Sequence, residues 1–230
     1  MRVRSIGSLL RSAAMLAAIV AALLGARAQA EAAGFEQTGE MRFDELLELA
    51  QWRAVRVTLP QEAARVRGCS KAQCSDAAAM WFVRIVREGK ALDRRRQLDV
   101  VQTAVNSRPY REDAEQFGAE DKWQSPLGFA RRGGDCEDFA IAKYFALTLL
   151  GFSRSDLRIA VMTRGAQGEV HAILLARIDS QWLALDNREK RPGDLTRYAR
   201  WIPRYAVTET AGFRYVDSGK AALASAPAER

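Results

Sequence analysis

Apolar residues in the N-terminal half of the chain recur at the spacing of amphipathic helices. Ser75 is a candidate cap for a helix that begins at about residue 76. Ser125 can cap a later helix, in which Pro126 takes the first helical position. The pattern predicts helices over residues 43–57, 76–87, 91–106 and 126–131.

The pattern changes after Cys136. Residues 137–150 are apolar on nearly every face, with Lys143 and Thr148 as the main polar positions past the first turn. A helix of this kind is buried on most sides. Runs rich in Val, Ile, Leu and Trp follow and predict strands over residues 157–162, 170–177, 182–186 and 208–216.

This order of elements predicts an α+β protein with one domain over residues 31–218. A helical lobe occupies about 40–131, and a core occupies about 132–216. In that core a central helix precedes a small antiparallel sheet. Residues 219–230 are rich in Ala, Ser and Pro and are expected to be disordered.

A tight turn aligns the second and third strands. Asp179 and Ser180 can close a two-residue hairpin, in which the numbers of facing residues sum to 359. Ile173 then faces Asp186, and His171 lies two residues further along its strand. His171 and Asp186 become diagonal neighbours on one face, about 7–8 Å apart at Cα. A histidine and a carboxylate can hydrogen-bond across that gap.

The first thirty residues have the form of a secretory signal peptide. Arginines precede an apolar run over residues 13–24, and Ala28-Gln29-Ala30 is a small-x-small cleavage site. An uncleaved anchor is the alternative, although the run is short for a membrane span. Cleavage before Glu31 leaves 31 basic against 28 acidic residues, so the net charge falls from +7 to +3. The exported chain is expected neither to bind nucleic acid nor to span a membrane.

The composition excludes several classes of protein. An apolar fraction of 48% and a charged fraction of 27% exclude a mainly disordered chain. One histidine excludes a multi-histidine metal site, and three cysteines exclude a disulfide scaffold. Cys69 and Cys74 can pair in an oxidising compartment. Two free thiols or half of a zinc site are the alternatives, but no other cysteine pair or histidine cluster could complete a zinc site.

Cys136 is the cysteine without an obvious partner. It follows Gly133-Gly134, which leaves room for a substrate backbone, and Asp135, a candidate helix N-cap. The first turn of a helix lowers the pKa of a thiol, which favours a nucleophile over a small buried apolar residue. His171 is then the base, because the chain has no other histidine. Asp186 can orient it, which completes a Cys–His–Asp triad.

Carboxylates crowd the proposed nucleophile. Asp135, Glu137 and Asp138 surround Cys136 in sequence, and their negative charge opposes thiol ionisation. One interpretation is helix capping with the acids turned to solvent. The other is a calcium site using Asp135 and Glu137, with Asp138 as a further candidate, because Ca²⁺ prefers oxygen ligands and would neutralise the cluster.

Three motifs resemble the bacterial transglutaminase-like cysteine proteinase family. Residues 133–144 read GGDCEDFAIAKY, residues 170–172 read VHA and residues 185–187 read LDN. The likeness runs from about residue 91 to 213 and departs from the family pattern at Gln124-Ser125 and Phe139. It implies a papain/transglutaminase-like fold with Cys136, His171 and Asp186 as the triad.

The resemblance also implies a biological role. Such enzymes are periplasmic, use calcium and clip the N-terminal region of a large surface adhesin at a di-alanine site, which releases cells from a biofilm. A cyclic-di-GMP receptor of the inner membrane sequesters them. By the same resemblance, the Cys136 backbone N–H contributes to an oxyanion hole, and Trp123 is a wall or second donor. A transglutaminase, a peptidoglycan amidase and a non-enzymatic binding module are the alternatives.

Overall fold

The computed structural model describes residues 34–35, 38–69, 74–118, 121–164 and 168–217. The predicted signal peptide over residues 1–30 and the predicted disordered tail over 219–230 lie outside the described residues. Within the described part of the chain, no helix is long and apolar enough to cross a membrane.

Helices dominate the N-terminal lobe. Those of the described residues are α1 (Ala50–Arg56), α2 (Leu59–Cys69), α3 (Ala77–Gly89), α4 (Arg94–Asn106), α5 (Asp113–Phe117) and α6 (Pro126–Arg132). The helix predicted over residues 43–57 is a 3-10 turn followed by α1, and α2 was not predicted. Pro60 lies in the first turn of α2, where a proline needs no N–H group, so it helps to begin a helix.

Short polar side chains determine where these helices begin. Ser125 accepts an N–H from the first turn of α6, as predicted. The prediction that Ser75 caps α3 is wrong, because the Asp76 carboxylate accepts two N–H groups of its first turn. Asp93 caps α4, which therefore begins three residues later than predicted. Cys69 at the end of α2 forms a disulfide with Cys74 before α3.

Helix α7 (Cys136–Leu149) forms the centre of the molecule. Every residue from Glu137 to Leu147 is buried. Its Phe139 and Phe145 rings meet Phe129 and Phe82 edge to face at centroid distances of 4.8 and 4.9 Å. Its other side packs against the sheet. The predicted central helix is therefore confirmed, and its N-terminus is held between two layers.

An antiparallel sheet forms the second layer. Its strands are β1 (Thr38–Arg42), β2 (Leu157–Thr163), β3 (Val170–Ile178), β4 (Gln181–Leu185), β5 (Gly193–Asp194), β6 (Ile202–Val207) and β7 (Gly212–Asp217). The order across the sheet is β1-β7-β6-β2-β3-β4-β5. Strands β2, β3 and β4 match the prediction. The strand predicted over residues 208–216 begins only at Gly212, because Thr208 to Ala211 form a turn.

The predicted register of the β3–β4 hairpin is confirmed. Leu174 faces Leu185 and Ile178 faces Gln181, so each pair sums to 359. Asp179 and Ser180 at the turn have φ of 48° and 68°. Positive φ at both central residues gives the turn the twist that a two-residue hairpin needs.

The middle of the sheet is buried on both faces. Along β2, Ile159 and Val161 belong to the main core with the helices, whereas Ala160 and Met162 belong to a smaller cluster with Tyr198. Strands covered on both sides read as continuous apolar runs, which explains the sequence pattern. The end of β3 that carries His171 is thereby enclosed.

Candidate active site

His171 and Asp186 form a buried hydrogen-bonded pair. His171 lies at the start of β3 and Asp186 follows the last residue of β4. The imidazole Nε2 lies 2.9 Å from Asp186 Oδ1. Their exposed fractions are 0% and 4%. The hairpin register therefore produces the diagonal contact that the sequence predicted.

Further donors hold the Asp186 carboxylate. The backbone N–H of Arg188 donates to Oδ1 and the Tyr198 hydroxyl donates to Oδ2, both at 2.9 Å. Burial alone would raise the pKa of Asp186, but the hydrogen bond and charge of His171, with these two donors, lower it overall. The carboxylate is therefore kept ionised and oriented. Sequence reasoning missed Tyr198, which lies outside the hairpin.

Amide side chains of α4 fix the backbone at the same point. Gln102 Nε2 and Asn106 Nδ2 donate to the Asp186 carbonyl oxygen at 2.7 and 3.1 Å. Gln102 is fully buried. These bonds connect the helical lobe to the strand end that carries Asp186.

The other side of the imidazole is enclosed but has no polar partner. The Trp201 ring lies 5.5 Å from the His171 ring, measured between centroids. His171 Nδ1 is buried, and no atom of the described residues hydrogen-bonds to it. With Nε2 turned to Asp186, Nδ1 is the nitrogen left to exchange a proton with a nucleophile.

Cys136 is the first residue of α7 and lies against the start of β3. Its Sγ lies 3.2 Å from Glu137 Oε2 and accepts a hydrogen bond from the backbone N–H of Ala172, the neighbour of His171. Burial raises the pKa of the Cys136 thiol, the Glu137 and Asp135 carboxylates raise it further, and the Ala172 N–H lowers it. The helix N-terminus was expected to lower the pKa of this thiol, but burial and the neighbouring carboxylates outweigh that effect.

The two glycines before Cys136 serve packing. Gly133 has φ of +79°, and a Cβ there would come within 2.1 Å of the Pro109 carbonyl oxygen. A Cβ on Gly134 would come equally close to the Asp138 carboxylate. The glycines are therefore required by their own neighbours, which corrects the expectation that they clear space for a substrate.

Three carboxylates converge beside the nucleophile. Ligand oxygens of Asp113, Asp135 and Glu137 lie within 4.8 Å of one another. Burial raises the pKa of all three, that of Asp135 to about 8. One carboxylate oxygen of Asp113 and one of Asp135 are buried without a hydrogen-bond partner in the described residues. Unpartnered hard oxygens in this arrangement fit a calcium ion.

The membership of this cluster differs from the prediction in two residues, because Asp113 belongs to it and Asp138 does not. Asp113, at the start of α5, was not predicted, because the sequence pattern assigned no element to that segment. Asp138, a possible ligand in the prediction, is fully buried and accepts hydrogen bonds from the backbone and side chain of Gln124. Asp135 occupies the N-cap position of α7, but its side chain makes no capping bond.

A cleft of about 410 Å³ opens at Cys136. Its walls include Tyr110, Trp123, Val170 and Tyr205, of which Tyr110 and Val170 are half or more exposed. The Trp123 indole N–H donates to Asp121 at 2.9 Å. Trp123 is therefore a wall of the cleft, and its N–H is already used, which argues against the predicted role as second oxyanion donor.

The cleft, the buried His–Asp pair and the cysteine at a helix N-terminus belong to one class of protein, the cysteine proteases of transglutaminase-like fold. The sequence model of the bacterial transglutaminase-like cysteine proteinases matches residues 67–218. The chain belongs to this family and is a cysteine protease. No curated protein sequence matches it significantly.

Solved structures support the fold. Legionella pneumophila LapG is 24% identical with a TM-score of 0.55, and the match covers 70% of this chain and 89% of that one. Calcium-bound Legionella pneumophila LapG is 26% identical with a TM-score of 0.53, over 63% of this chain and 83% of that one. EGTA-treated LapG from the same organism is 24% identical with a TM-score of 0.55, over 70% of this chain and 91% of that one.

Proposed function

We propose that the chain is a periplasmic, calcium-dependent endopeptidase that cleaves the N-terminal region of a large surface adhesin. The observation that carries the proposal is the placement of Cys136 at the cleft, beside the three-carboxylate cluster and in contact with Ala172, the residue that follows His171 on β3. Family membership supports peptide hydrolysis. The resemblance of the motifs supports the adhesin as substrate.

The proposed triad works by covalent catalysis. The Cys136 thiol gives its proton to His171 Nδ1, and Sγ attacks the scissile carbonyl carbon. The backbone N–H of Cys136, unpaired within the first turn of α7, can donate to the resulting oxyanion. His171 returns the proton to the leaving amine. Water then hydrolyses the thioester, with His171 again moving the proton and Asp186 orienting the ring.

Asp113, Asp135 and Glu137 would hold the calcium ion. A bound divalent cation would supply positive charge that balances these buried carboxylates next to the nucleophile. Glu137 matters most for the thiol, because its oxygen lies 3.2 Å from Sγ. The calcium-bound and EGTA-treated forms of LapG support a calcium role in this family.

Location and regulation complete the proposal. The signal-peptide pattern over residues 1–30 supports export to the periplasm, where the disulfide of Cys69 and Cys74 could form. A cyclic-di-GMP receptor of the inner membrane would sequester the enzyme, and cleavage of the adhesin would promote biofilm dispersal. N-terminal sequencing of the secreted chain should find Glu31 first.

The decisive experiment incubates the mature chain with the N-terminal fragment of a surface adhesin from the same cells, with calcium or excess EGTA. We expect one cleavage, mapped by mass spectrometry between two small residues, in calcium only. Cys136→Ala should be inactive and folded. An uncleaved fragment would contradict the adhesin assignment, and cleavage by Cys136→Ala would contradict the triad. Amine incorporation without hydrolysis would identify a transglutaminase instead.

A further inference from the structure

A lysine is buried in the centre of the molecule, close to the proposed triad. Lys143 lies on α7, seven residues after Cys136, and is 0% exposed. Positions seven residues apart share one face of a helix. Lys143 and Cys136 therefore lie on the same side of α7, two turns apart.

The amine of Lys143 reaches the strand end that carries Asp186. Its Nζ donates to the carbonyl oxygen of Leu185 at 3.3 Å, one residue before Asp186. The Phe139 ring centroid lies 6.0 Å away on the same helix. The bond connects the helix of the nucleophile directly to β4.

Asp186 is the charged group that acts on this amine. Burial lowers the pKa of Lys143 to about 7, and the negative charge of Asp186 opposes that change. The other side chains that bond to Asp186 are neutral or titratable. These are the amides of Gln102 and Asn106 from α4, the imidazole of His171 from β3 and the hydroxyl of Tyr198.

Stability does not explain a lysine at this position. A buried ammonium loses its hydration, and an apolar side chain of similar length fills the same space without that penalty. Lys143 is as fully buried as its neighbours Ala142 and Tyr144, and the Phe139 ring lies on one side of its amine. The amine must therefore be explained by what it contacts.

We propose that Lys143 is a positioning residue for the protease reaction, whose amine holds the end of β4 against α7 and whose charge balances the Asp186 carboxylate. The inference rests on the proposed triad of Cys136, His171 and Asp186. Positive charge beside Asp186 limits how strongly the His–Asp pair retains a proton. The imidazole can then release its proton to the leaving amine.

The test compares Lys143→Met with Leu147→Met. Leu147 is a fully buried residue one turn later on α7, so its variant controls for a changed core. Because His171 is the single histidine, its NMR signals report the imidazole without overlap and without a substrate. We expect Lys143→Met to fold, to lose about tenfold to hundredfold in kcat/KM, and to move the titration midpoint of the His171 signals upward by about one pH unit.

Leu147→Met should keep the wild-type midpoint. In Lys143→Arg, which retains the charge, the midpoint should lie closer to the wild-type value than in Lys143→Met. Two results would overturn the inference: wild-type kcat/KM in Lys143→Met, or lost activity with an unmoved midpoint, which would show a purely structural role. If Lys143→Met does not fold, the midpoint in Lys143→Arg decides, and a shift there as large as one pH unit would also overturn it. Failure of the triad would be seen separately, as cleavage by Cys136→Ala.

Discussion

At the scale of single residues, the contacts of Asp186 predict how much kcat/KM each substitution in or beside the proposed triad should lose. His171→Ala removes the base, and Asp186→Asn keeps the shape but presents an amide to donors. Tyr198→Phe removes one of the three hydrogen bonds made to the Asp186 carboxylate. We expect kcat/KM to fall to background for His171→Ala, by about 10²–10⁴ for Asp186→Asn and by about three- to thirtyfold for Tyr198→Phe.

Tyr144→Phe is the matched control for this series. Its hydroxyl also bonds a carboxylate, Glu209, at 3.4 Å, but away from the proposed triad. It should keep wild-type kcat/KM. Equal losses for Tyr144→Phe and Tyr198→Phe would show that buried hydroxyls act here only through stability.

The buried lysine also predicts how stability depends on pH. In the unfolded chain Lys143 has an ordinary pKa of about 10.4, whereas in the folded chain its pKa is about 7. Between these values the unfolded chain binds more protons, so this group makes folding more favourable as pH rises. Lys143→Met lacks that contribution.

We therefore expect urea unfolding at pH 6.5, 7.5 and 8.5 to show the largest excess in unfolding free energy of Lys143→Met over wild type at pH 6.5. Its advantage over wild type should shrink by up to about 1.4 kcal/mol per pH unit above 7. Parallel stability curves for the two proteins would show that the lysine titrates normally in the fold.

At the scale of elements, Asp76 connects three helices. Its carboxylate caps α3 and pairs with Arg65 of α2 at 2.6 Å and with Arg131 of α6 at 3.2 Å. Asp93 caps α4 but is exposed, and its ion pair, with Arg96 at 3.4 Å, stays within the first turn of α4. We expect Asp76→Ala to cost about 2–3 kcal/mol of unfolding free energy and Asp93→Ala about 1 kcal/mol, measured by urea denaturation. Equal costs would mean that capping alone matters at Asp76.

At the scale of the whole molecule, the acidic cluster spans two elements. Asp113 comes from α5, and Asp135 and Glu137 come from the start of α7. A calcium ion held by both would oppose unfolding, because it binds only the folded chain. We expect Ca²⁺ to raise the Tm and EGTA to lower it, with little effect of Mg²⁺, which prefers a tighter octahedral shell.

Asp113→Asn should remove most of this calcium response in a thermal shift assay. Asp121→Asn is the matched control, because Asp121 lines the same cleft but is not in the cluster. A calcium response that survives Asp113→Asn and disappears in Asp121→Asn would place the ion elsewhere.

Local patterns were sufficient for several elements of this protein. Helical spacing located α3, α4 and α6, because burial of one face repeats every few residues, whereas a run that is apolar on nearly every face located α7. The turn at Asp179-Ser180 set the register that joins His171 to Asp186. Both are short-range effects, in which a side chain's position follows from its neighbours in sequence.

Long-range packing decided the rest. Strand β1 pairs with β7 across the length of the chain, and no local signal marks that pairing. Packing brings Asp113 to the acidic cluster and turns Asp138 to Gln124 instead. It also places the amine of Lys143 beside the strand end of Asp186. The sequence by itself determined the family, the central helix and the His–Asp hairpin, and only the tertiary structure decided which buried charges meet, because residues distant in sequence become neighbours only when the layers pack.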